Sequence, residues 1–260
     1  MDNVLSIQQV TQFINDGFIR IDNAFSATTA AAARDILWKD LGVDRHDPAT
    51  WTRPVIRLGW YSQQPFVDAA NSPHLHAIFD QLIGKDRWEP RINMGTFPVR
   101  FPSPDDPGDT GWHVDASFEG RATYTPNSFA DWRVNVRSKA RALLMLFLFS
   151  DVGEQDAPTR IRVGSHMDVA RVLKPAGDGG LSFMELAGML NTMPDRQEVL
   201  AMGAAGTVYL CHPFIVHAAQ SHHGTEPRFL AQPPLGLKGE LDLKSLSPSP
   251  VAQAIQIALE

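Results

Sequence analysis

A single cysteine, Cys211, is all the thiol in this 260-residue chain. One cysteine excludes an internal disulfide and any thiolate metal cluster, so a metal here must be held by nitrogen and oxygen. Its neighbours in TVYLC (207–211) are apolar, and Cys211 reads as an inert strand residue. Positive charge is scarce as well. Lys and Arg number 23 against 29 Asp and Glu, a net charge of −6, which leaves no footprint for nucleic acid or an anionic membrane. The longest apolar run, ALLMLFLF (142–149), is too short to cross a bilayer as a helix. It reads instead as a strand buried on both faces. The opening MDNVLSIQQVTQFINDGF lacks the basic-then-apolar pattern of a secretory signal, so a cytoplasmic protein is expected. No Gly-x-Ser-x-Gly elbow and no cysteine–histidine pairing offers a protein nucleophile.

What is present is a folding chain. Hydrophobic residues make up 43% and charged residues 20%, with six tryptophans, enough apolar mass for one sizeable core. No internal repeat or low-complexity tract divides the chain, and a single domain over 1–260 is expected. Helix signals crowd the first third. Ser6 precedes the periodic Ile7, Val10, Phe13 and Ile14, which end at Gly17; Ser26 precedes ATTAAAARDILWKDLG; SPHLHAIFDQLIG has Pro73 early and Gly84 late. GFIRIDNAF (17–25) alternates as a strand. From residue 87 onward, short β-branched or aromatic segments such as RWEPRINMGTFPVRF, TRIRVGS, GTVYLC and IVHAAQ are separated by Pro, Gly, Asp and Asn. A loop at 174–182 and a short helix over Phe183–Asn191 interrupt them. The expectation is a mainly β fold with flanking helices. A helical third (1–86) buttresses a double-stranded β-helix core of jelly-roll, cupin-like type (87–235), and a tail (236–260) follows.

The chemistry-bearing residues lie in two stretches. GWHVDASFEG (111–120) sets His113 and Asp115 on one face of an extended segment. Such a tripeptide arises readily by chance in a chain with nine histidines, so it needs partners elsewhere. HPFIVHAAQSHHGTEPRFLAQ (212–232) holds them. His217 shares a strand face with Ile215 and Ala219, whereas His222 and His223 stand in polar turn chemistry and read as solvated loop residues. A turn centred near 222–223 brings Arg228 back beside His217, and arginine grips a carboxylate bidentately without losing its charge. His212 points away from His217 and reads as structural, as does His166 in a Gly-Ser-His turn. Two imidazoles and one carboxylate, His113, Asp115 and His217, form the facial set of a non-haem Fe(II) oxygenase with positions left open. Arg228 then anchors the far carboxylate of 2-oxoglutarate.

These residues resemble the phytanoyl-CoA dioxygenase family of Fe(II)/2-oxoglutarate oxygenases, and the resemblance runs over most of the chain. VTQFINDGFIRIDNAFS is similar to the family's helix-to-strand opening, and WHVD to its proximal metal motif. DAPTRIRVGSH is similar to the stretch that ends Pro-Gly-Ser-His, and HPFIVHAAQ…PRF to the distal histidine and cosubstrate arginine. The resemblance implies His113, Asp115 and His217 as ligands of Fe(II), Arg228 as the 2-oxoglutarate anchor, and O2 as the other cosubstrate. It implies oxidation, in the first instance hydroxylation, of a C–H bond with release of succinate and CO2. Asp115 matches this pattern, whereas halogenating relatives carry a small residue there. Two positions depart. Val163 stands where proline is usual, and Ala219 where many relatives use serine to hold the cosubstrate carboxylate. Thr207, Gln220 and Ser221 are the candidates to replace that serine.

Candidate substrate contacts are Asn93, Thr96 and Arg100, which precede the metal loop, with Trp112 and Phe118 beside it. Arg133, Arg137, Lys139 and Arg141 cluster as a solvated face or as an attraction for an acidic substrate. A small-molecule partner is expected, with no nucleic acid and no membrane. The competing reading is a cupin-like metal-binding isomerase or lyase, or a non-catalytic small-molecule binding protein, on the same β-fold. Arg228 separates the two, because a metal-only site does not require it.

Overall fold

The structure, a computed structural model, describes residues 4–120 and 131–260. The chain runs through α1 (Ile7–Asp16), β1 (Phe18–Ile21), α2 (Ala27–Asp40), β2 (Val55–Gly59), α3 (Gln64–Ala70) and α4 (Pro73–Ile83). Strands β3 (Trp88–Glu89), β4 (Thr96–Arg100), β5 (Phe118–Glu119) and β6 (Trp132–Val134) lead to the long β7 (Arg141–Leu148). Next come β8 (Thr159–Arg162), α5 (Ser165–Leu173), β9 (Leu181–Ser182) and α6 (Phe183–Met189). β10 (Glu198–Ala201), β11 (Val208–Cys211), β12 (His217–Ala218), β13 (Leu230–Ala231), β14 (Pro234–Leu237) and α7 (Pro250–Leu259) complete the order.

Local chemistry accounts for the helices. Ser6 and Gln9 close a capping box on α1, and Gly17 ends it with φ 82°. Ser26 and Ser72 cap α2 and α4 through their hydroxyls. Gly17 meets a second demand, since a Cβ there would stand 2.4 Å from His166 Nδ1.

The major sheet has the order β1-β11-β7-β14-β3, with β13 also on β7. β10-β8-β12 forms a smaller sheet, and all of these pairings are antiparallel. The apolar run of β7 is continuous because both of its faces are covered. Leu144, Leu146 and Leu148 pack with Ile161, Ala201 and Ile215 between the two sheets. Leu143, Met145, Phe147 and Phe149 belong to the core shared with Leu37, Phe66 and Phe79 of the helices. This is the jelly-roll arrangement expected from the sequence. Cys211 lies in the same inter-sheet layer, where burial pushes its thiol pKa up.

Three features differ from the sequence reading. The helical third also supplies strands: β1 pairs with β11 and β2 with β4. The Gly-Ser-His turn opens a helix, α5, behind Gly164 at φ 74°. The segment after 236 is no tail. It carries α7, capped by Ser249, with Val251, Ala252, Ala254, Ile255 and Ala258 buried. Among the described residues no helix is long and apolar enough to cross a membrane.

Candidate metal centre

His113 and His217 face each other across an antiparallel bridge and exchange backbone hydrogen bonds of 3.0 Å in both directions. Side chains of such a pair leave the same face, and the two ring centroids lie 4.4 Å apart. His217 also pairs with Ile161, whose side chain belongs to the inter-sheet core, so the shared face looks between the sheets. Asp115 returns to that face two residues after His113. Its Oδ1 lies 3.6 Å from His113 Nε2 and 3.8 Å from His217 Nε2. One ligand atom from each residue falls within 4.8 Å of the others.

The surroundings prepare these groups as ligands. His113 Nδ1 donates to the Gly111 carbonyl at 2.9 Å and His217 Nδ1 to the Ile215 carbonyl at 3.2 Å. A carbonyl only accepts, so the proton sits on Nδ1 and the Nε2 lone pairs face inward. Burial, and next the neighbouring His113, lowers the His217 pKa to about 4, which keeps it neutral at pH 7. Burial pushes the Asp115 carboxyl the other way, but Arg141, His217 and His113 outweigh it and hold the group well below the usual carboxylate range. Arg141 Nη1 donates to Asp115 Oδ2 at 2.7 Å and Nη2 to the Ala116 carbonyl at 2.8 Å. Oδ1 faces the two imidazoles instead. Two imidazoles and one carboxylate suit a divalent first-row transition metal. The His217 side chain is 3% exposed against 25% for His113 and 23% for Asp115, so the centre opens on the side of the last two.

Arg228 forms a second bridge, with Arg100, and each of the two is 2% exposed. Arg228 Nη1 donates to the Ala157 carbonyl and Nη2 to that of Pro98 at 3.3 Å. Burial lowers its pKa to about 9, with Arg100 adding and Asp109 opposing. Gln220 Nε2 donates to the next carbonyl, Pro158, at 2.7 Å. That places Gln220 in the arginine's neighbourhood, and Ser221 adjoins it in the chain.

Thr207 does not come there. Its hydroxyl donates to Asp22 Oδ1 at 3.2 Å, tying the approach to β11 to the end of β1. Trp112 alternates with His113 and so takes the opposite face, where Arg160 and Arg162 lie 4.6 and 4.2 Å from its ring. Asn93 holds its own turn, with Oδ1 accepting from Arg91 Nη2 and the Gly95 amide at 3.0 and 3.1 Å. Thr96 is exposed at the start of β4. Phe118 is half-buried on β5, with Lys139 Nζ 4.9 Å from its ring.

The arginine cluster has internal partners. Arg133 donates to the Gly179 and Gly180 carbonyls, Arg137 pairs with Glu240 at 3.1 Å, and Arg141 serves Asp115. His222 is buried at 3% exposure, contrary to its polar turn sequence. The Ser103 amide donates to its backbone carbonyl at 3.3 Å. His166 and His212 are structural as expected, accepted by the carbonyls of Ile14 and Val251 at 2.9 and 3.3 Å. Sequence reasoning missed Phe183, whose ring centroid lies 5.7 Å from that of His113. No local signal points to that contact, because it depends on where α6 docks.

No family model matches the chain, and no curated protein sequence matches it. Solved structures do. The non-haem α-ketoglutarate-dependent carbocyclase SnoK from nogalamycin biosynthesis is 17% identical, with 94% of this chain and 92% of that one covered and a TM-score of 0.62. HygX from Streptomyces hygroscopicus, with nickel and 2-oxoglutarate bound, is 15% identical over 90% and 88%, TM-score 0.57. EctD from S. alaskensis is 20% identical over 91% and 78%, TM-score 0.56. Over 94% and 90% of its length, respectively, this chain shares the fold of SnoK and of HygX.

Proposed function

We propose that this protein is an Fe(II)- and 2-oxoglutarate-dependent oxygenase, of the phytanoyl-CoA dioxygenase type, that oxidises a C–H bond of a small molecule. The observation that carries the reading is the gathering of two Nε2 atoms and Asp115 Oδ1 on one inward face. A buried arginine, Arg228, bridged to Arg100, supports it. The nickel and 2-oxoglutarate borne by HygX agree with it, and the carbocyclase SnoK widens the outcome beyond hydroxylation. Hydroxylation is the simplest reaction and the one proposed.

In this reading His113, Asp115 and His217 hold the iron, and Arg228 receives the far carboxylate of 2-oxoglutarate with Gln220 and Ser221 nearby. Bound iron supplies, with O2, the oxidation of a C–H bond coupled to decarboxylation of 2-oxoglutarate to succinate and CO2. The chain's own residues set the conditions. The Gly111 and Ile215 carbonyls aim the imidazoles, and Arg141 keeps Asp115 ionised with one oxygen committed. Phe183 lies against His113 and offers it an apolar neighbour.

Anaerobic addition of Fe(II) and 2-oxoglutarate tests the reading. The wild type is expected to show the weak visible charge-transfer band of the chelate, and His113→Ala to lose it. Iron bound with no band would return the protein to the isomerase, lyase or binding-protein reading.

A further inference from the structure

Arg100 and Arg228 stand directly opposite each other and exchange backbone hydrogen bonds of 3.1 and 2.8 Å. Side chains of such a pair share a face about 5 Å apart, and like charges placed so repel. Burying two guanidinium groups together is strongly unfavourable unless anions answer them. Among the described residues the carboxylate bonded to this pair is Asp109. Its Oδ1 accepts from Arg100 Nη2 at 2.6 Å, while its Oδ2 is taken by Arg57. The cluster of Arg57, Arg100, Arg228 and Asp109 therefore carries three positive charges against one negative. Three buried N–H groups remain without an acceptor: Nε and Nη1 of Arg100, and Nε of Arg228.

We propose that Arg100 and Arg228 form a two-arginine clamp for the far carboxylate of the 2-oxo acid cosubstrate. Arg100 thereby supplies from β4 the contact that Ala219 lacks. The proposal rests on the cosubstrate reading given above. A carboxylate offers about four acceptor positions, enough to answer N–H groups of both arginines at once. Asp109 is the internal counter-ion that holds Arg100 through Nη2 and leaves its other N–H groups free. Such a clamp selects for charge at the far end of the cosubstrate, because a 2-oxo acid without that carboxylate leaves both buried guanidinium groups unanswered.

The test is calorimetric titration of the Mn(II)-loaded protein with 2-oxoglutarate and, separately, with 2-oxobutyrate, which lacks the far carboxylate. Wild type, Arg100→Gln, Arg100→Lys and Arg228→Gln are compared, and the metal-free proteins are melted. Arg100→Gln is expected to weaken 2-oxoglutarate roughly tenfold to a hundredfold while leaving 2-oxobutyrate within about twofold. Melting of its metal-free form checks only that it folds, since the substitution removes both a repelling charge and the ion pair with Asp109. Should Arg100→Gln fail to fold, Arg100→Lys decides, because it keeps the charge but loses the planar fork and so weakens 2-oxoglutarate selectively. Unchanged 2-oxoglutarate affinity in the Arg100 variants, or an equal loss for both acids, overturns the clamp while the cosubstrate reading stands. A wild type that holds Mn(II) and binds neither acid overturns the cosubstrate reading, and the clamp with it.

Discussion

Asp115 has two oxygens, and the fold gives them separate work. Oδ2 accepts from Arg141, while Oδ1 faces the two imidazoles. Arg141→Gln frees Oδ2 and removes the charge that keeps the carboxyl ionised. Divalent metal affinity is expected to fall roughly tenfold to a hundredfold, the usual effect of losing a group that orients a ligand, as read by competition with a chelating dye. Unchanged affinity would make Arg141 a packing residue. Arg137 belongs to the same sequence cluster but pairs with Glu240 at 3.1 Å. Arg137→Ala is therefore expected to leave both metal affinity and substrate KM unaltered. The sequence marks these arginines as one group; only their distant partners tell them apart.

At the scale of elements, Gly17 joins three of them. It ends α1, its carbonyl accepts from the His212 amide at 2.7 Å, and its missing side chain makes room for His166 of α5. Gly17→Ala meets both a positive φ and a close contact. It is expected to destabilise by about 2–4 kcal/mol in urea titrations, and a loss below about 0.5 kcal/mol would show that α5 yields freely. Helix ends were legible here because caps are local: Ser6, Ser26, Ser72, Gly17 and Gly84 lie where their helices begin and stop. α7 carries the same start signal as α4, Ser249 then Pro250, which the sequence reading passed over; its burial depends on the faces of α1, α4 and α5 that receive it.

The whole molecule carries a pH dependence through two histidines remote from the metal centre. His166 and His212 are buried with ring centroids 4.8 Å apart, linking α5, the strand end after β11, α1 and α7. Burial lowers the His166 pKa to about 4 and that of His212 well below its ordinary value, with His166 adding to the second shift. The unfolded chain takes up these protons near pH 6.5 while the folded one resists. Their stabilisation is thus complete above that pH and declines as pH falls toward about 4, on the order of 3 kcal/mol for His166. Melting temperature is expected to drop between pH 7 and pH 4.5, less steeply in His166→Gln. Equal slopes in the two proteins would remove His166 from the account.

Sequence alone singled out the candidate site residues and their order: His113 and Asp115 at strand spacing, His217 downstream, and Arg228 across a turn. It also determined the capped helices and the doubly buried β7, because caps, alternation and run length are written within a few residues. Tertiary structure decided the partners. It set Arg141 on Asp115, Arg100 beside Arg228, Thr207 on Asp22, and Trp112 between Arg160 and Arg162 on the outer face. It buried His222, whose carbonyl accepts from the Ser103 amide, despite a sequence that reads as solvated. Each of these is a contact across many residues, fixed by which strands pair and in which register, and register is a property of the packed sheets rather than of any one segment.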